Sequence, residues 1–158
     1  MINIRTGGLD DPAVQALLAY HHREASRLFP SEFAHALPPG ALHDPAVRFF
    51  SAWDGDELLG IAALKRMDSS HAEVKSMRTH PDRLRRGAAR ALLDRVIAEA
   101  RAEGYARLSL ETGVGTPFVA ANALYERAGF VDCEAFGHYP PSPHNRFMTM
   151  MLTGPALT

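Results

Sequence analysis

The stretch "EVKSMRTHPDRLRRGAARALLDRVIAEARAEGYARLSLET", residues 73–112, contains two strand patterns separated by a turn and a long helix pattern. Polar and apolar residues alternate over residues 72–79 and again over 107–112, as they do in strands. Between them, a helix is expected to start after Gly87 and to stop at Gly104. Its apolar face carries Leu92, Leu93, Val96, Ile97 and Ala100. This order predicts a helix packed on a sheet.

The turn before that helix is crowded with positive charge. Arg83, Arg85, Arg86 and Arg90 surround Gly87. A helix N-terminus presents unpaired N–H groups and a partial positive charge, and small residues let a phosphate approach the backbone. The turn is therefore a candidate pyrophosphate site. Solvated arginines, or arginines paired with nearby acidic residues, remain an alternative. The P-loop pattern and the three-glycine dinucleotide fingerprint are both absent.

Outward from this stretch, the remaining pattern is also mixed. A strand at residues 2–4 precedes a helix that begins at Asp11-Pro12, and the Asp-Gly turn at residues 54–57 joins two strands. Thr116-Pro117 is expected to cap a helix that ends at Gly129. Strands at residues 130–133 and 147–152 follow, the latter as an exposed edge that would permit a homodimer. The fold class is α/β or α+β.

Bulk properties limit the function classes. The chain of 158 residues fits one domain, residues 1–158, and its formal net charge of −1 argues against nucleic acid as a partner. Cys133 is the single cysteine, and no apolar run is long enough to span a membrane. The histidines lack metal-ligand spacing. We therefore expect a cytoplasmic protein without a metal, a membrane or a nucleic-acid partner.

The stretch quoted above, followed by "ANALYERAGF" at residues 121–130, resembles the GNAT superfamily of acyl-CoA-dependent N-acyltransferases. The family signature is Gln/Arg-x-x-Gly-x-Gly/Ala, and Gly87 and Ala89 match its last two positions. Leu84 departs from the first position. The resemblance implies a mixed central sheet of six to seven strands flanked by about four helices. Its two parallel strands, residues 72–79 and 107–112, would splay apart to form the coenzyme A cleft.

The resemblance also implies how acetyl-CoA binds. Backbone and side chains of the turn would hold the pyrophosphate of coenzyme A. Those residues are Arg85, Arg86, Gly87, Ala88, Ala89 and Arg90. The end of the preceding strand, at Met77, Arg78 and Thr79, would lie beside the pantetheine arm. Asn122 shares a helix face with Tyr125 and would contact the same arm.

By the same resemblance, acetyl transfer assigns three catalytic roles. Glu73 is the candidate base that deprotonates the amine, and Glu111 is the second candidate. The backbone N–H of Met77 would donate to the thioester oxygen. Tyr125 would give a proton to the departing thiolate. The predicted function is acetyl transfer from acetyl-CoA to a primary amine. The alternative is a catalytically silent acyl-CoA sensor or partner-binding module.

Two segments are expected to form the acceptor pocket. They are "YHHREASRLFPSEFAHALPPG", residues 20–40, and "FGHYPPSPHNRF", residues 136–147. Both carry aromatic and polar side chains, among them Phe29, Phe33, Phe136, His138, Tyr139 and Asn145. A small amine or a peptide amine would fit such a pocket, and the residue types leave that choice open.

Overall fold

The computed structural model describes residues 1–30 and 35–152, so Phe33 lies outside the described residues. The strands are β1 (Asn3–Thr6), β2 (Val47–Asp54), β3 (Glu57–Arg66), β4 (His71–Thr79), β5 (Arg107–Gly113), β6 (Val131–Asp132) and β7 (Asn145–Met151). The α-helices are α1 (Pro12–Leu28), α2 (Ala88–Ala102) and α3 (Val119–Ala128). Short 3-10 helices cover Pro39–His43 and Thr116–Phe118.

The strands form one seven-stranded sheet in the order β1-β2-β3-β4-β5-β7-β6. Every neighbouring pair is antiparallel except β4 and β5, which run parallel. This arrangement confirms the predicted mixed α/β sheet. About four helices were expected, and the described residues form three α-helices and the two 3-10 helices.

Two local predictions are wrong. The last strand is not an edge, because the short β6 runs along its outer side and pairs Val131 with Thr149. The edges of the sheet are β1 and β6. Thr116 does not cap α3 either. It begins the 3-10 helix, and the residue before α3 is Phe118, whose side chain makes no capping hydrogen bond.

The two faces of the sheet carry separate cores. The predicted apolar face of α2 is fully buried against β2, β3, β4 and β5, and it joins one cluster with α3 and Phe130. On the other face of the sheet, α1 packs Val14, Leu17 and Leu18 against Trp53 of β2 and against the buried β3 side chains on that face. Leu28, the last residue of α1, is half-buried on the wall of the central cavity.

Asp11 fixes the start of α1, as predicted. Its Oδ1 accepts a hydrogen bond of 2.8 Å from the backbone N–H of Ala13, and Pro12 occupies the first helical position. We expect Asp11→Ala to lower the free energy of unfolding by about 1 kcal/mol, because an N-terminal amide loses its acceptor. Urea denaturation measures this. The exposed neighbour Asp10→Ala is the control, and equal losses in both variants would contradict the capping role.

Among the described residues, no helix is long and apolar enough to cross a membrane.

Candidate active site

The centre of the sheet opens between its two parallel strands. The strands β4 and β5 pair only from His71 to Val74 against Arg107 to Leu110. Beyond these residues they diverge, and a cavity of about 180 Å³ lies in the gap. Its walls come from the ends of β4 and β5, from α1, and from the start of α3. The splayed strands predicted from the sequence are therefore present.

A β-bulge in β4 marks the point of divergence. Ile61 of β3 pairs with Arg78 and Ala63 pairs with Lys75, so two residues of β4 oppose one of β3. Ser76, one of the two, has a positive φ of 53°, an uncommon conformation for a residue with a side chain. Its hydroxyl is buried without a hydrogen-bond partner among residues 1–30 and 35–152. Ser76 and Met77 both line the cavity.

The strand β4 leads from the cavity to the turn that opens α2. Arg85 and Gly87 both have left-handed backbones there, with φ values of 63° and 85°. Such alternation tilts successive N–H groups toward a common point and favours anion binding. In the described part of the chain, no side chain caps the N-terminus of α2. The backbone of this turn therefore fits the diphosphate that the sequence pattern indicates.

The arginines of the turn divide between two kinds of environment. Arg86 donates to Glu57 at 2.6 Å and to Asp54 at 2.8 Å, both in the hairpin between β2 and β3. Arg83 donates to the carbonyl oxygen of Leu58 at 2.8 Å. Arg90 pairs with Asp94 one turn along α2, and Arg85 is exposed. Arg83 also lies 3.3 Å from Glu57, so the paired alternative considered for these arginines holds for Arg83, Arg86 and Arg90 in this conformation.

Tyr125 lies on the cavity wall at the α3 side. The residue is 8% exposed, and burial raises the pKa of its phenol to about 12, although Arg78 acts in the opposite direction. Its ring meets the ring of Phe130 edge-on at 6.1 Å. No hydrogen bond to its hydroxyl is found in the described part of the chain. The phenol therefore keeps its proton at neutral pH and has a donor to offer.

Asn122 joins α3 to the end of β5. Its Oδ1 accepts from the hydroxyl of Thr112 at 2.8 Å, and its Nδ2 donates to the carbonyl oxygen of Gly113 at 3.0 Å. Both ends of the amide are thus used within the fold. Asn122 is outside the set of residues that line the cavity. A pantetheine contact by this side chain stays a prediction.

Glu73, the first candidate for the base, is buried behind the cavity wall. It is 1% exposed and accepts a hydrogen bond of 3.1 Å from the hydroxyl of Tyr139. Lys75 lies 3.5 Å from its second oxygen and also donates to the Tyr139 hydroxyl at 2.9 Å. Burial raises the pKa of Glu73, and Lys75 offsets part of that increase. This carboxylate is therefore held between two partners, and its Oε2 makes no hydrogen bond within residues 1–30 and 35–152.

Glu111, the second candidate, lies on the cavity wall itself. Its Oε2 is 2.5 Å from Nδ1 of His35 and accepts from Nδ2 of Asn145 at 2.7 Å. Burial raises the pKa of this carboxyl, while His35 and Lys75 act in the opposite direction. The His35 ring stacks on Tyr139 with centroids 4.6 Å apart. Glu111 and His35 thus form a dyad that faces the cavity.

Arg78 and His21 are hydrogen-bonded to each other on the α1 side of the same cavity. Nε of Arg78 donates to Nδ1 of His21 at 3.0 Å, so this histidine is held as the neutral acceptor. Burial, together with the charges of Arg78 and Lys75, lowers the pKa of His21 to about 3. The guanidinium lies 5.6 Å from the ring centre of Tyr20. The cavity therefore has an arginine on one side and a carboxylate on the other.

Sequence reasoning missed three polar residues of this cavity, and the available signals differ. Lys75 was detectable, since it follows Glu73 by two residues and strand alternation puts both on one face. His21 was noted only as lacking metal-ligand spacing. His35 sits in a proline-rich connection without periodicity, and tertiary packing brings it to β5. In the described part of the chain, no group of three or more His, Cys, Asp or Glu side chains could hold a metal ion.

Comparison with known proteins gives a consistent result. Residues 14–130 match the acetyltransferase (GNAT) family. An uncharacterized N-acetyltransferase of Escherichia coli, YedL, is 46% identical, with 96% of each chain covered. A Bacillus subtilis protein described in the same terms, YsnE, is 43% identical, with 96% of this chain and all of the relative covered.

Solved structures agree with the sequence relatives. A protein of Klebsiella pneumoniae assigned to the acyl-CoA N-acyltransferases superposes with a TM-score of 0.77 at 28% identity, over 97% of this chain and 99% of that one. A GNAT acetyltransferase of Elizabethkingia anophelis was solved with acetyl-CoA bound. It superposes with a TM-score of 0.70 at 18% identity, over 95% and 97% of the two chains.

Proposed function

This chain belongs to the GNAT acetyltransferase family, and from that premise we propose that it transfers an acetyl group from acetyl-CoA directly to an amine in the central cavity. It is an acyl-CoA-dependent acetyltransferase. One observation carries the proposal. A single cavity between the diverging strands contacts the bulge of β4, the carboxylate of Glu111 and the ring of Tyr125. A thioester, a base and a donor to sulfur would meet there.

Acetyl-CoA supplies the activated acetyl group, and this chain supplies its position. We assign the diphosphate to the backbone of residues 85–90, where Gly87 allows close approach. Met77 and Thr79 would run beside the pantetheine arm. The bulge supports this assignment because it takes one residue out of the ladder with β3, which leaves backbone groups available to a ligand.

The proton transfers follow from the chemistry of the reaction. The amine nitrogen attacks the thioester carbon, and its proton passes to the Glu111–His35 dyad. The backbone N–H of Met77 would stabilise the negative charge on the carbonyl oxygen. The carbon–sulfur bond then breaks with its electron pair going to sulfur, and the Tyr125 hydroxyl donates a hydrogen bond to the resulting thiolate. Glu111 is preferred to Glu73 as the base because only Glu111 is among the residues that line the cavity.

The direct test combines binding with turnover. We expect purified protein to bind coenzyme A in calorimetry and to release free thiol from acetyl-CoA when an amine acceptor is added. Binding without thiol release across a broad amine panel would contradict the transfer and favour a silent acyl-CoA sensor. Absence of coenzyme A binding would contradict the cleft assignment itself.

The two glycines that flank α2 allow a matched test of the diphosphate site. Gly87 precedes α2 and Gly104 follows it, and both have a φ of +85°. Apart from the adjoining residues of the chain, no atom of the described residues lies within 4 Å of a Cβ added at Gly104, and at Gly87 Ile2 alone among them does so, at 3.8 Å. Gly87→Ala and Gly104→Ala therefore carry similar backbone strain, about 1 kcal/mol.

We expect Gly87→Ala to weaken coenzyme A binding about tenfold or more, because the added methyl group would stand where the phosphate approaches the backbone. Gly104→Ala should leave the affinity near that of the parent protein. Calorimetric titration with coenzyme A measures both. Equal affinities in the two variants would remove Gly87 from the binding site.

Other expectations stay predictions. A cytoplasmic location and the absence of nucleic-acid and membrane partners rest on the sequence alone. The homodimer also stays a prediction, but the strand offered for it, β7, is covered by β6.

A further inference from the structure

The cavity has a positively charged side chain on one wall and a negatively charged side chain on another, and these two do not pair with each other. Lys75 and Glu73 already form a closed pair with Tyr139. Two charged groups then remain on the cavity wall, namely Arg78 beside α1 and Glu111 on β5. A substrate that carried one positive and one negative group would match this arrangement.

Arg78 has donors to spare. Its Nε donates a hydrogen bond to His21. Within residues 1–30 and 35–152, neither Nη atom donates a hydrogen bond, and the guanidinium forms no ion pair. Burial lowers its pKa, and the charges of Tyr20 and Glu24 act in the opposite direction. The open fork of an arginine is suited to a carboxylate, which it binds through two parallel hydrogen bonds.

His21 and Tyr20 hold that fork in place. The histidine accepts from Nε, and the aromatic face of Tyr20 lies against the guanidinium. Because Nε is fixed, the planar group is oriented before any ligand arrives. A preorganised cation loses less entropy on binding than a mobile surface arginine does. The neutral state of His21 also means that it adds no second charge at this end.

The opposite end attracts an ammonium group. The Glu111 carboxylate lies on the wall, and His35 and Asn145 both contact its Oε2. An incoming amine would be positioned there and deprotonated by the same dyad. The cavity lining also includes the apolar Leu28, Phe29 and Leu110.

We propose that the acceptor is a free amino acid, with its carboxylate on the Arg78 fork and its amine at the Glu111–His35 dyad. This inference rests on the proposed acetyl transfer. It selects the small-molecule alternative, because a peptide N-terminus or a lysine side chain brings no carboxylate next to its amine. It also assigns the Arg78 side chain to the acceptor, while the backbone at this position remains available to the pantetheine arm.

The test compares each free amino acid with its own carboxamide. The full chain is given saturating acetyl-CoA and one acceptor of each pair, and kcat/KM is obtained from thiol release. We expect at least one amino acid to exceed its amide by about 100-fold, because the amide cannot form the charge-assisted pair with Arg78. The ratio within a pair is independent of how much enzyme is folded.

Substitution then locates that preference. Arg78→Met should bring the ratio close to one by slowing the amino acid alone, with coenzyme A affinity preserved in calorimetry. Arg78→Lys keeps the charge but loses the fork, so an intermediate ratio is expected, and this variant decides the question if Arg78→Met does not fold. Arg66→Met is the matched control at the exposed end of β3 and should keep the parent ratio.

Three outcomes overturn the proposal. Equal or faster turnover of carboxamides by the parent protein would show that no carboxylate is recognised, while acetyl transfer itself would stand. A ratio that persists in Arg78→Met would remove Arg78 from that role. Thiol release with none of the acceptors, despite coenzyme A binding, would overturn both this inference and the proposed function.

Discussion

Replacing Tyr125 with phenylalanine should lower kcat about 100-fold or more and leave coenzyme A affinity almost unchanged. A single donor to a charge that develops in the transition state is worth about two to three orders of magnitude in rate. The Tyr125 phenol has no other hydrogen-bond partner in the described residues, and its pKa of about 12 keeps the hydrogen in place. Full proton transfer to a thiolate, whose ordinary pKa is about 8.5, is uphill from such a phenol. The hydrogen bond to the sulfur therefore supplies most of the stabilisation.

Tyr105 provides a matched control for that substitution. It is also 8% exposed, and it belongs to the same apolar cluster, although it lies outside the set of residues that line the cavity. Tyr105→Phe removes an equivalent hydroxyl without touching the proposed reaction, so kcat should stay near the parent value. Stopped-flow or steady-state thiol release gives kcat for both variants. Comparable rates in the Tyr125→Phe enzyme and the parent would exclude the tyrosine as the donor to sulfur.

Replacing Glu111 with glutamine should lower kcat by about 100-fold or more, because the amide cannot accept the amine proton. General-base catalysis is worth about two to four orders of magnitude. Glutamine retains an oxygen that can accept from His35 or Asn145, so the geometry of the wall should survive. Circular dichroism and coenzyme A calorimetry check that the variant is folded and loaded.

The pH profile gives a second measure of this carboxylate. The base must be ionised, and burial raises the pKa of Glu111. The rate of the parent enzyme should therefore fall on acidification through a pKa higher than that of an exposed glutamate. His35, Lys75, Glu73 and Asn145 surround the group and set the exact midpoint. In Glu111→Gln this acidic limb should disappear.

Glu73→Gln separates the two candidates for the base. This substitution leaves Lys75 without its carboxylate in a buried cluster, so we expect a larger loss of folding stability than of kcat in the folded fraction. The opposite pattern, with rate lost in Glu73→Gln and retained in Glu111→Gln, would return the role of base to Glu73.

The sequence allowed most of the fold to be predicted because its signals are local. The period of α2, the glycines that bound it, and the alternation of β4 and β5 each depend on neighbouring residues, and the structure has all of them. The sequence predicted the strand β7 itself but wrongly placed it at the edge of the sheet, and the reason is different. Two residues of β6 are too short a pattern to show that another strand would cover that edge.

The candidate site was less predictable because its members come from distant parts of the chain. Glu73 and Glu111 are both acidic residues, and they lie on the neighbouring strands β4 and β5. Residue type alone cannot show which of the two side chains reaches the cavity. That distinction depends on Tyr139, which arrives from the loop before β7 and closes over Glu73. His35 similarly reaches Glu111 from a connection with no periodic pattern.

The short register between β4 and β5 has a mechanical consequence. Four residue pairs join the half of the sheet that contains β1 to β4 with the half that contains β5 to β7. Few backbone hydrogen bonds therefore connect the two halves. A ligand bound in the gap would contact both halves and hold them together. Because such a ligand binds only the folded chain, the melting temperature should climb with its concentration, and deuterium uptake beside Val74 and Leu110 should slow.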